Sequence, residues 1–337
     1  MNSNTQVLFH REPDGLPTVE DFEIVNRSLQ EITENQFLIR NLYLSLDPYM
    51  RMLMGGGWTY SGNSLSPGDL MVGRILGEVI ESRNPDYQPG DHVIGRLGWQ
   101  THAVSDGADL DFKVTPKEGI PLSAYLGACG STGATAWVGL KVVAGLTATD
   151  TVLVSAAAGS VGSAAGQIAK SMGCRVIGIA GGPEKCRVVE DEFGMDACCD
   201  YKAPDLAGQL AKAAPDGIDV YFDNVGGEVL DTAMAHLNRG ARIAVCGVLS
   251  QYNNDSVPYG VTNTHLIFDK SLRIEGFVLS NYHEKWPTAR AELEDLIVSG
   301  QLKYRETIAD GISNAPAAFI GMLQGKNLGK QLVRLSD

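Results

Sequence analysis

The sequence contains no long apolar run and no paired cysteine motif. No segment approaches the roughly 18 apolar residues that a membrane-spanning helix needs, and the first six residues are polar, so we expect no membrane association and no targeting segment. The cysteines are scattered without C-x-x-C spacing, at Cys129, Cys174, Cys186, Cys198, Cys199 and Cys246. This usage favours a reducing compartment, and we predict a cytoplasmic protein.

Basic residues are also scarce. The chain has 27 Lys and Arg against 40 Asp and Glu, which gives a net charge of −13. Such a surface repels a phosphate backbone, so we expect no nucleic-acid partner. By contrast, 44% of the 337 residues are hydrophobic, which is ample for the cores of about two domains.

The pattern of apolar runs changes near residue 125. Before it, short β-like runs such as residues 37–45 and 72–82 are separated by Gly, Pro and Asp, which predicts a β-rich domain over residues 1–125. After it, short apolar runs alternate with helical stretches, at residues 151–155, 161–172, 175–180, 184–193, 218–222 and 241–247. This alternation predicts a parallel sheet covered on both faces by helices over residues 126–299.

One strand, turn and helix carry a specific motif. Residues 151–163 read as a buried strand, a turn of small residues and the start of a helix, with Ala157, Gly159 and Gly162 in the three glycine positions of the dinucleotide fingerprint. Gly159 would let a pyrophosphate approach the backbone, and Gly162 would let the helix pack closely. We therefore predict a dinucleotide site that includes Ala158, Gly159, Ser160, Val161 and Gly162.

The end of the following strand bears on the choice of dinucleotide. No Asp or Glu stands there to accept from a ribose 2′-hydroxyl; instead Gly181 and Gly182 lead to Lys185 and Arg187. The two cations either attract a 2′-phosphate or are solvated residues of a first helical turn, and the pattern favours NADPH. Asn224, after the strand at 218–222, either caps a turn or contacts the cofactor.

At these positions the chain resembles the medium-chain dehydrogenase/reductase family, in the zinc-independent branch of prostaglandin reductases, alkenal double-bond reductases and curcumin reductases. The resemblance extends over nearly the whole chain. It is carried by LSLDPYMR (44–51), AAAGSVGS (156–163), AGGPEKC (180–186), YFDNVGG (221–227), CGVLSQYN (246–253), NAPAAFIGML (314–323) and GKNLGK (325–330).

The resemblance implies an α/β fold, with a Rossmann doubly wound parallel sheet at residues 126–299 inserted into a GroES-like β-rich catalytic domain. That domain would consist of residues 1–125 and about 300–337. It also implies a homodimer and an NADPH site. Lys185 and Tyr201 would bind the 2′-phosphate, and the other expected contacts are Gly182, Asn224, Cys246, Gly247, Ser250, Tyr252, Phe277, Val278, Leu279 and Asn327.

The zinc branch of the same family has a Gly-His-Glu triplet and a four-cysteine lobe. Here Leu76, Gly77 and Glu78 stand where the triplet would fall, and the scattered cysteines form no such lobe. We therefore expect no metal and predict NADPH-dependent reduction of the C=C bond of small α,β-unsaturated ketones or aldehydes.

Such a reaction needs a hydrogen-bond donor for the enolate oxygen, and tyrosine hydroxyls are the candidates. We predict Tyr252, Tyr60 and Tyr49 as catalytic residues, with Tyr259 as a weaker candidate. Two alternatives stay open: a quinone oxidoreductase on the same scaffold, and a non-catalytic NADPH-binding protein.

Overall fold

The computed structural model describes residues 3–55, 64–253 and 259–336. Its strands are β1 (Ser3–Phe9), β2 (Phe22–Ser28), β3 (Phe37–Ser45), β4 (Ile75–Ser82), β5 (His92–Gly95), β6 (His102–Ser105), β7 (Leu110–Val114), β8 (Thr151–Ser155), β9 (Arg175–Ala180), β10 (Ala197–Asp200), β11 (Ile218–Asp223), β12 (Leu237–Val245), β13 (Arg273–Gly276), β14 (Glu306–Asp310) and β15 (Lys330–Arg334). Its α-helices are α1 (Met50–Leu53), α2 (Ser131–Trp137), α3 (Ser160–Ser171), α4 (Pro183–Arg187), α5 (Leu206–Ala213), α6 (Gly227–Ala235), α7 (His265–Asp269), α8 (Trp286–Val298) and α9 (Ala315–Leu323).

One predicted helix differs from the sequence-based expectation, and a second helix shares its irregular geometry. The predicted helix at residues 184–193 is a short α4 followed by a π-helical segment, Val188–Glu192, and α2 likewise continues as a π-helical segment, Val138–Val143. Within the described ranges, no helix combines the length and apolarity that crossing a membrane requires.

The first of two units comprises Met1–Leu126 and Glu306–Asp337. Strands β1 and β2 pair antiparallel, and a mixed sheet has the order β14-β15-β3-β4-β5-β7, with β6 paired to β3. The C-terminal strand β15 runs antiparallel to β3, with Leu332 opposite Ser45. The chain therefore returns at its end to complete a sheet that begins with residue 37.

Aromatic side chains fill the core of this unit. Phe22 stacks on Trp99 with ring centroids 5.6 Å apart, and Phe319 of α9 meets both rings edge-on. Trp99 and Phe319 are fully buried. Their packing joins α9 to residues more than two hundred positions earlier, so the C-terminal segment is part of the core.

A buried ion pair links the two chain segments of the first unit. The Lys330 ammonium of β15 contacts the Asp47 carboxylate and donates to the Leu46 carbonyl at 2.9 Å. The Asp47 carboxylate also accepts from the Ser45 hydroxyl. Burial, the largest single effect, would raise the pKa of Asp47. The charge and hydrogen bond of Lys330, the Ser45 hydroxyl and the charge of Arg74 together outweigh it, so the pKa of Asp47 lies below its ordinary value. Asp47 therefore has a structural partner in its own unit.

The second unit, Gly127–Arg305, contains a parallel six-stranded sheet. Its order is β10-β9-β8-β11-β12-β13, which is the Rossmann order 3-2-1-4-5-6 when the strands are counted from β8. The central strands are apolar runs buried on both faces, as the sequence predicted. Strand order reverses between β8 and β11, and ligands of such sheets bind beyond the carboxyl ends of the strands at this reversal.

Candidate functional site

The turn between β8 and α3 lies at the reversal of strand order. Ala156 adopts a left-handed φ of 51°, and Gly159 precedes the first helical residue in an extended conformation. A Cβ added at Gly162 would lie 2.3 Å from the Ala156 carbonyl oxygen, so the first turn of α3 can approach this turn only with glycine at that position. The geometry gives Gly162 the packing role that the fingerprint predicted.

The same turn fits the pyrophosphate of a dinucleotide. Ala158 and Gly159 carry no bulky side chain, and the twelve-residue helix α3 begins directly after them. The N–H groups of a first helical turn have no partner within the helix and carry the positive end of its dipole. An anion beyond β8 would therefore meet backbone donors at close range.

The ends of β8 and β11 are tied together by Asp223, which the sequence analysis did not single out. This fully buried carboxylate accepts from the Ser155 hydroxyl at 3.0 Å, from the Tyr221 hydroxyl at 2.7 Å and from the Val225 and Gly226 amides at 3.0 Å each. These donors satisfy the buried charge. Burial first, and the charge of Asp223 second, raise the pKa of Tyr221 well above its ordinary value.

Asn224 strengthens the same junction. Its side-chain amide donates to the Ser155 carbonyl at 2.7 Å, and its backbone N–H donates to the Ser155 hydroxyl at 2.8 Å. The side chain thus bridges two strands. Its contact with a cofactor remains a prediction.

The loops after β11 and β12 are bonded to each other. Ser250 donates to the Val225 carbonyl through its hydroxyl at 2.7 Å and its backbone N–H at 3.1 Å. A Cβ added at Gly247 would lie 3.2 Å from the Tyr252 hydroxyl. The predicted residues after β11 and those after β12 therefore lie next to each other, because the two loops are joined by hydrogen bonds.

Cys246 begins the second of these loops. Its backbone N–H donates to the Asp223 carbonyl at 2.8 Å. Burial, with a smaller contribution from the charge of Asp223, raises the pKa of its thiol to about 12. The thiol is therefore neutral at physiological pH and is chemically quiet beside the predicted cofactor site.

A second part of the candidate site, the cationic corner, lies where β9 and β10 end side by side and α4 begins. The Tyr201 ring covers Gly181, whose added Cβ would lie 2.8 Å from it, and Gly182 has a φ of 94°. Half-buried Lys185 follows in α4, and burial first, then the charge of Lys202, lowers its pKa. An anion bound at this corner would offset both effects, so these residues fit a phosphate.

This corner also contains a carboxylate that sequence reasoning missed. Asp200, the last residue of β10, stands in register with Ala180 of β9. Its Oδ1 accepts from the Gly182 amide at 2.7 Å and from the Lys202 amide at 2.9 Å. The carboxylate therefore fixes the conformation of the turn. It lies here because β10 pairs with β9, a pairing that the sequence does not show.

The remaining predicted residues lie in other places. Phe277 packs edge-on against Phe222, with ring centroids 6.2 Å apart, and Val278 and Leu279 follow it after β13. Asn327 belongs to the first unit and donates to the Gly329 carbonyl at 2.9 Å.

The tyrosine candidates are also separated. Tyr49 is half-buried in the first unit and packs against its core, and Tyr60 lies outside the described residues. The Tyr259 hydroxyl donates to Asp231 at 2.9 Å, which gives it an anchoring contact in the second unit. Tyr252 lies in the loop that follows β12, near Gly247. The Gln251 side-chain amide of the same loop donates to the Tyr259 carbonyl at 3.3 Å, whereas the Tyr259 hydroxyl is bound to Asp231.

The position corresponding to the zinc triplet serves a structural contact. Glu78 of β4 forms an ion pair with Arg40 of β3 at 2.6 Å. Across residues 3–55, 64–253 and 259–336, no group of three or more His, Cys, Asp or Glu side chains is arranged to hold a metal ion.

Comparison with known proteins agrees with this geometry. The family model for the N-terminal domain of oxidoreductase matches residues 5–112, and the model described as zinc-binding dehydrogenase matches residues 160–295. The NADPH-dependent curcumin reductase of Escherichia coli is 41% identical over 99% of this chain and 97% of that protein. The 2-alkenal reductase (NADP(+)-dependent) of Nicotiana tabacum is 39% identical over 99% of this chain and 98% of that protein.

A solved structure shows the same fold at full length. CurA from Vibrio vulnificus, determined in complex with NADPH, superposes with a TM-score of 0.93 at 40% identity, covering 99% of both chains. Sequence similarity and fold similarity thus extend over both units. The chain belongs to the medium-chain dehydrogenase/reductase family, in the branch that contains the curcumin and 2-alkenal reductases.

Proposed function

We propose that this protein uses NADPH to reduce the C=C bond of α,β-unsaturated ketones and aldehydes. The observation that carries the proposal is identity of about 40% over nearly the entire chain to a curcumin reductase and a 2-alkenal reductase. The parallel-strand ends support it, because they offer a glycine cradle for a pyrophosphate and a cationic corner for a further phosphate.

In this proposal, the residues after β8 hold the pyrophosphate and those after β9 and β10 select NADPH. Lys185 and Tyr201 contact the 2′-phosphate, while Asp200 keeps the Gly182 turn in shape through its hydrogen bond. The loops after β11 and β12, including Asn224 and Ser250, hold the remainder of the cofactor.

The chain's chemical task is to stabilise an enolate. When bound, NADPH supplies the hydride that adds to the β-carbon of the substrate. Negative charge then develops on the carbonyl oxygen, and one well-aimed hydrogen-bond donor stabilises such an oxygen by roughly 2.7–4 kcal/mol. We infer that the Tyr252 hydroxyl, close to Gly247, is this donor. Tyr49 and Tyr60 are the other candidates.

A substrate panel tests the proposal. NADPH consumption is followed with enones, enals and quinones after chelator treatment, with NADH as the control cofactor, and the products are identified. Formation of saturated ketones or aldehydes with preference for NADPH is the expected result. Exclusive formation of hydroquinones would favour the quinone oxidoreductase, and NADPH binding without turnover would favour the non-catalytic protein.

Substitution Tyr252→Phe tests the donor. Loss of one oxyanion donor lowers kcat by about 100-fold or more, while NADPH affinity changes far less. Tyr87→Phe is the matched control, because the Tyr87 ring is held in the first unit by stacking on Phe37 at 4.2 Å. Equal effects of the two substitutions on kcat would remove Tyr252 from the mechanism.

We further infer a homodimer formed through β13. All four residues of this strand are exposed, and it is an edge of the parallel sheet. An open edge pairs readily with a second copy of itself. We expect Ile274→Asp to halve the mass measured by light scattering, whereas Val298→Asp, at an exposed valine of α8, does not. A monomeric native protein would refute this inference.

We also infer a cytoplasmic location. All six cysteines are free in the structure, as expected for a protein of a reducing compartment. Localisation of a tagged full-length chain by cell fractionation tests this inference, and recovery outside the cytoplasm would overturn it.

A further inference from the structure

Two cysteines twelve positions apart in sequence meet at the cationic corner. The Cys198 thiol of β10 donates to the Cys186 sulfur of α4, and the two sulfur atoms are 3.0 Å apart. Cys186 is buried, and Cys198 is partly exposed. A disulfide has a sulfur–sulfur distance of about 2.05 Å, so the two atoms need to approach by about 1 Å to bond.

The neighbouring Cys199 cannot take part in the same way. Successive side chains of a strand point to opposite faces, and Cys199 lies in the apolar core with Ile179 and Leu210. Cys198 faces α4 instead. The corner thus contains one defined pair of thiols, and Cys199 serves as an internal control.

The residues assigned above to the 2′-phosphate lie within or next to these two elements: Lys185 belongs to α4, and Tyr201 directly follows β10. Cys186 is adjacent in sequence to Lys185, and Cys198 precedes Asp200 and Tyr201 by two and three positions. The Asp200–Gly182 hydrogen bond of 2.7 Å connects the same two elements. A displacement of α4 toward β10 therefore changes the position of the lysine ammonium relative to a bound phosphate.

We propose that Cys186 and Cys198 form a reversible dithiol–disulfide pair, that hydroperoxides oxidise it, and that the disulfide weakens NADPH binding. This inference rests on the proposed function, in which Lys185 binds the 2′-phosphate. It assigns to this corner a covalent modification that changes cofactor affinity.

The chemistry balances with a hydroperoxide as the two-electron oxidant. The Cys198 thiolate attacks the peroxide oxygen, the O–O bond breaks, and Cys198 becomes a sulfenic acid while an alcohol or water leaves. The Cys186 sulfur then attacks the sulfenic sulfur, the S–S bond forms and water leaves. The two thiols lose two protons and two electrons, and the hydroperoxide gains them.

The local environment sets the rate. Burial is the main cause that raises the pKa of both thiols, and Glu190, which accepts from the Cys198 amide at 2.7 Å, adds to the effect. Few thiolates exist at neutral pH, so oxidation is slow there and accelerates as pH rises. The thiols thereby resist the electrophilic enals that the proposed reaction consumes.

The experiment treats the reduced full-length protein with hydrogen peroxide at neutral and at alkaline pH. After alkylation of remaining thiols, peptide mass mapping detects any Cys186–Cys198 link. Dissociation constants for NADPH and NADH are measured before oxidation, after it, and after reduction with dithiothreitol. Native protein, Cys198→Ala and Cys199→Ala are compared.

We expect a Cys186–Cys198 link and a five- to tenfold weaker NADPH affinity, about the net contribution of one hydrogen bond. NADH affinity changes less, since it has no 2′-phosphate, and dithiothreitol restores the original values. Cys199→Ala behaves as the native chain, and Cys198→Ala shows neither effect. Because the coupling is reciprocal, a tenfold difference in NADPH affinity between the dithiol and the disulfide forms shifts the reduction potential of the pair by about 30 mV when NADPH is bound. NADPH should therefore protect the thiols from oxidation.

Two results overturn the proposal: no Cys186–Cys198 link under conditions that oxidise other thiols, or a link that leaves NADPH affinity unchanged. Failure of the proposed function is recognised separately, because the reduced protein would then bind NADPH no better than NADH while the peptide map still reports the link.

Discussion

Replacement of Lys330 by methionine tests how the C-terminal strand holds the first unit together. Methionine keeps most of the side-chain volume but leaves the buried Asp47 carboxylate without its cation. Removing one member of a buried pair costs about 3–5 kcal/mol. At roughly 2–4 °C per kcal/mol for a unit of this size, the melting temperature should fall by about 6–20 °C near neutral pH.

The pH dependence gives this prediction its sign. In the native protein the pKa of Asp47 is lowered, so the pair's stabilisation is present above the ordinary pKa of about 3.9 and is lost as pH falls through the folded-state pKa. In Lys330→Met, only the weaker effects of Arg74 and Ser45 still oppose burial, so that pKa rises, and protonation relieves the penalty at mildly acidic pH. The difference in melting temperature should therefore shrink on acidification.

Scanning calorimetry on both proteins and on Asp47→Asn/Lys330→Met checks this reasoning. The double variant has no buried unpaired charge, so it should recover most of the lost stability. A loss below about 1 kcal/mol in Lys330→Met, or a difference that does not change with pH, would refute the account of this pair.

Two further predictions concern the cofactor site. Gly162→Ala places a Cβ 2.3 Å from the Ala156 carbonyl oxygen, and overpacking of about 1–3 kcal/mol should lower the melting temperature and weaken NADPH binding about tenfold or more. An unchanged NADPH dissociation constant in titration calorimetry would contradict the tight turn. Lys185→Gln should weaken NADPH binding by about tenfold or more and leave NADH almost unaffected, with exposed Lys212→Gln as control; equal losses for both cofactors would exclude a 2′-phosphate contact.

Local patterns predicted the elements that are continuous in sequence. Strands β8 and β9 begin and end at the predicted residues, because a run of buried apolar residues between turn signals has few alternatives. The predicted strand at 241–247 instead extends over Leu237–Val245, and that at 72–82 begins at Ile75. Boundaries shift where hydrogen bonding to a neighbouring strand, which the sequence does not display, decides the ends.

Strand β10 shows a larger omission. Its four residues, Ala197–Asp200, have no apolar run that would identify them as a strand, yet they pair with β9 along their whole length. Missing this strand meant missing Asp200 at the cationic corner. The contact between Cys186 and Cys198 was hidden for the same reason, because only the pairing of β10 brings the second thiol to α4.

The sequence by itself determined the nature of the two units, the glycine turn at Gly159 and Gly162, and the resemblance to the reductase branch, because each depends on residues that are consecutive or nearly so. Only the tertiary structure decided that β15 pairs with β3, that Asp223 joins β8 to β11, and that Lys330 neutralises Asp47. These contacts join residues 68 to 291 positions apart, and no local periodicity specifies which distant partner will satisfy a buried charge.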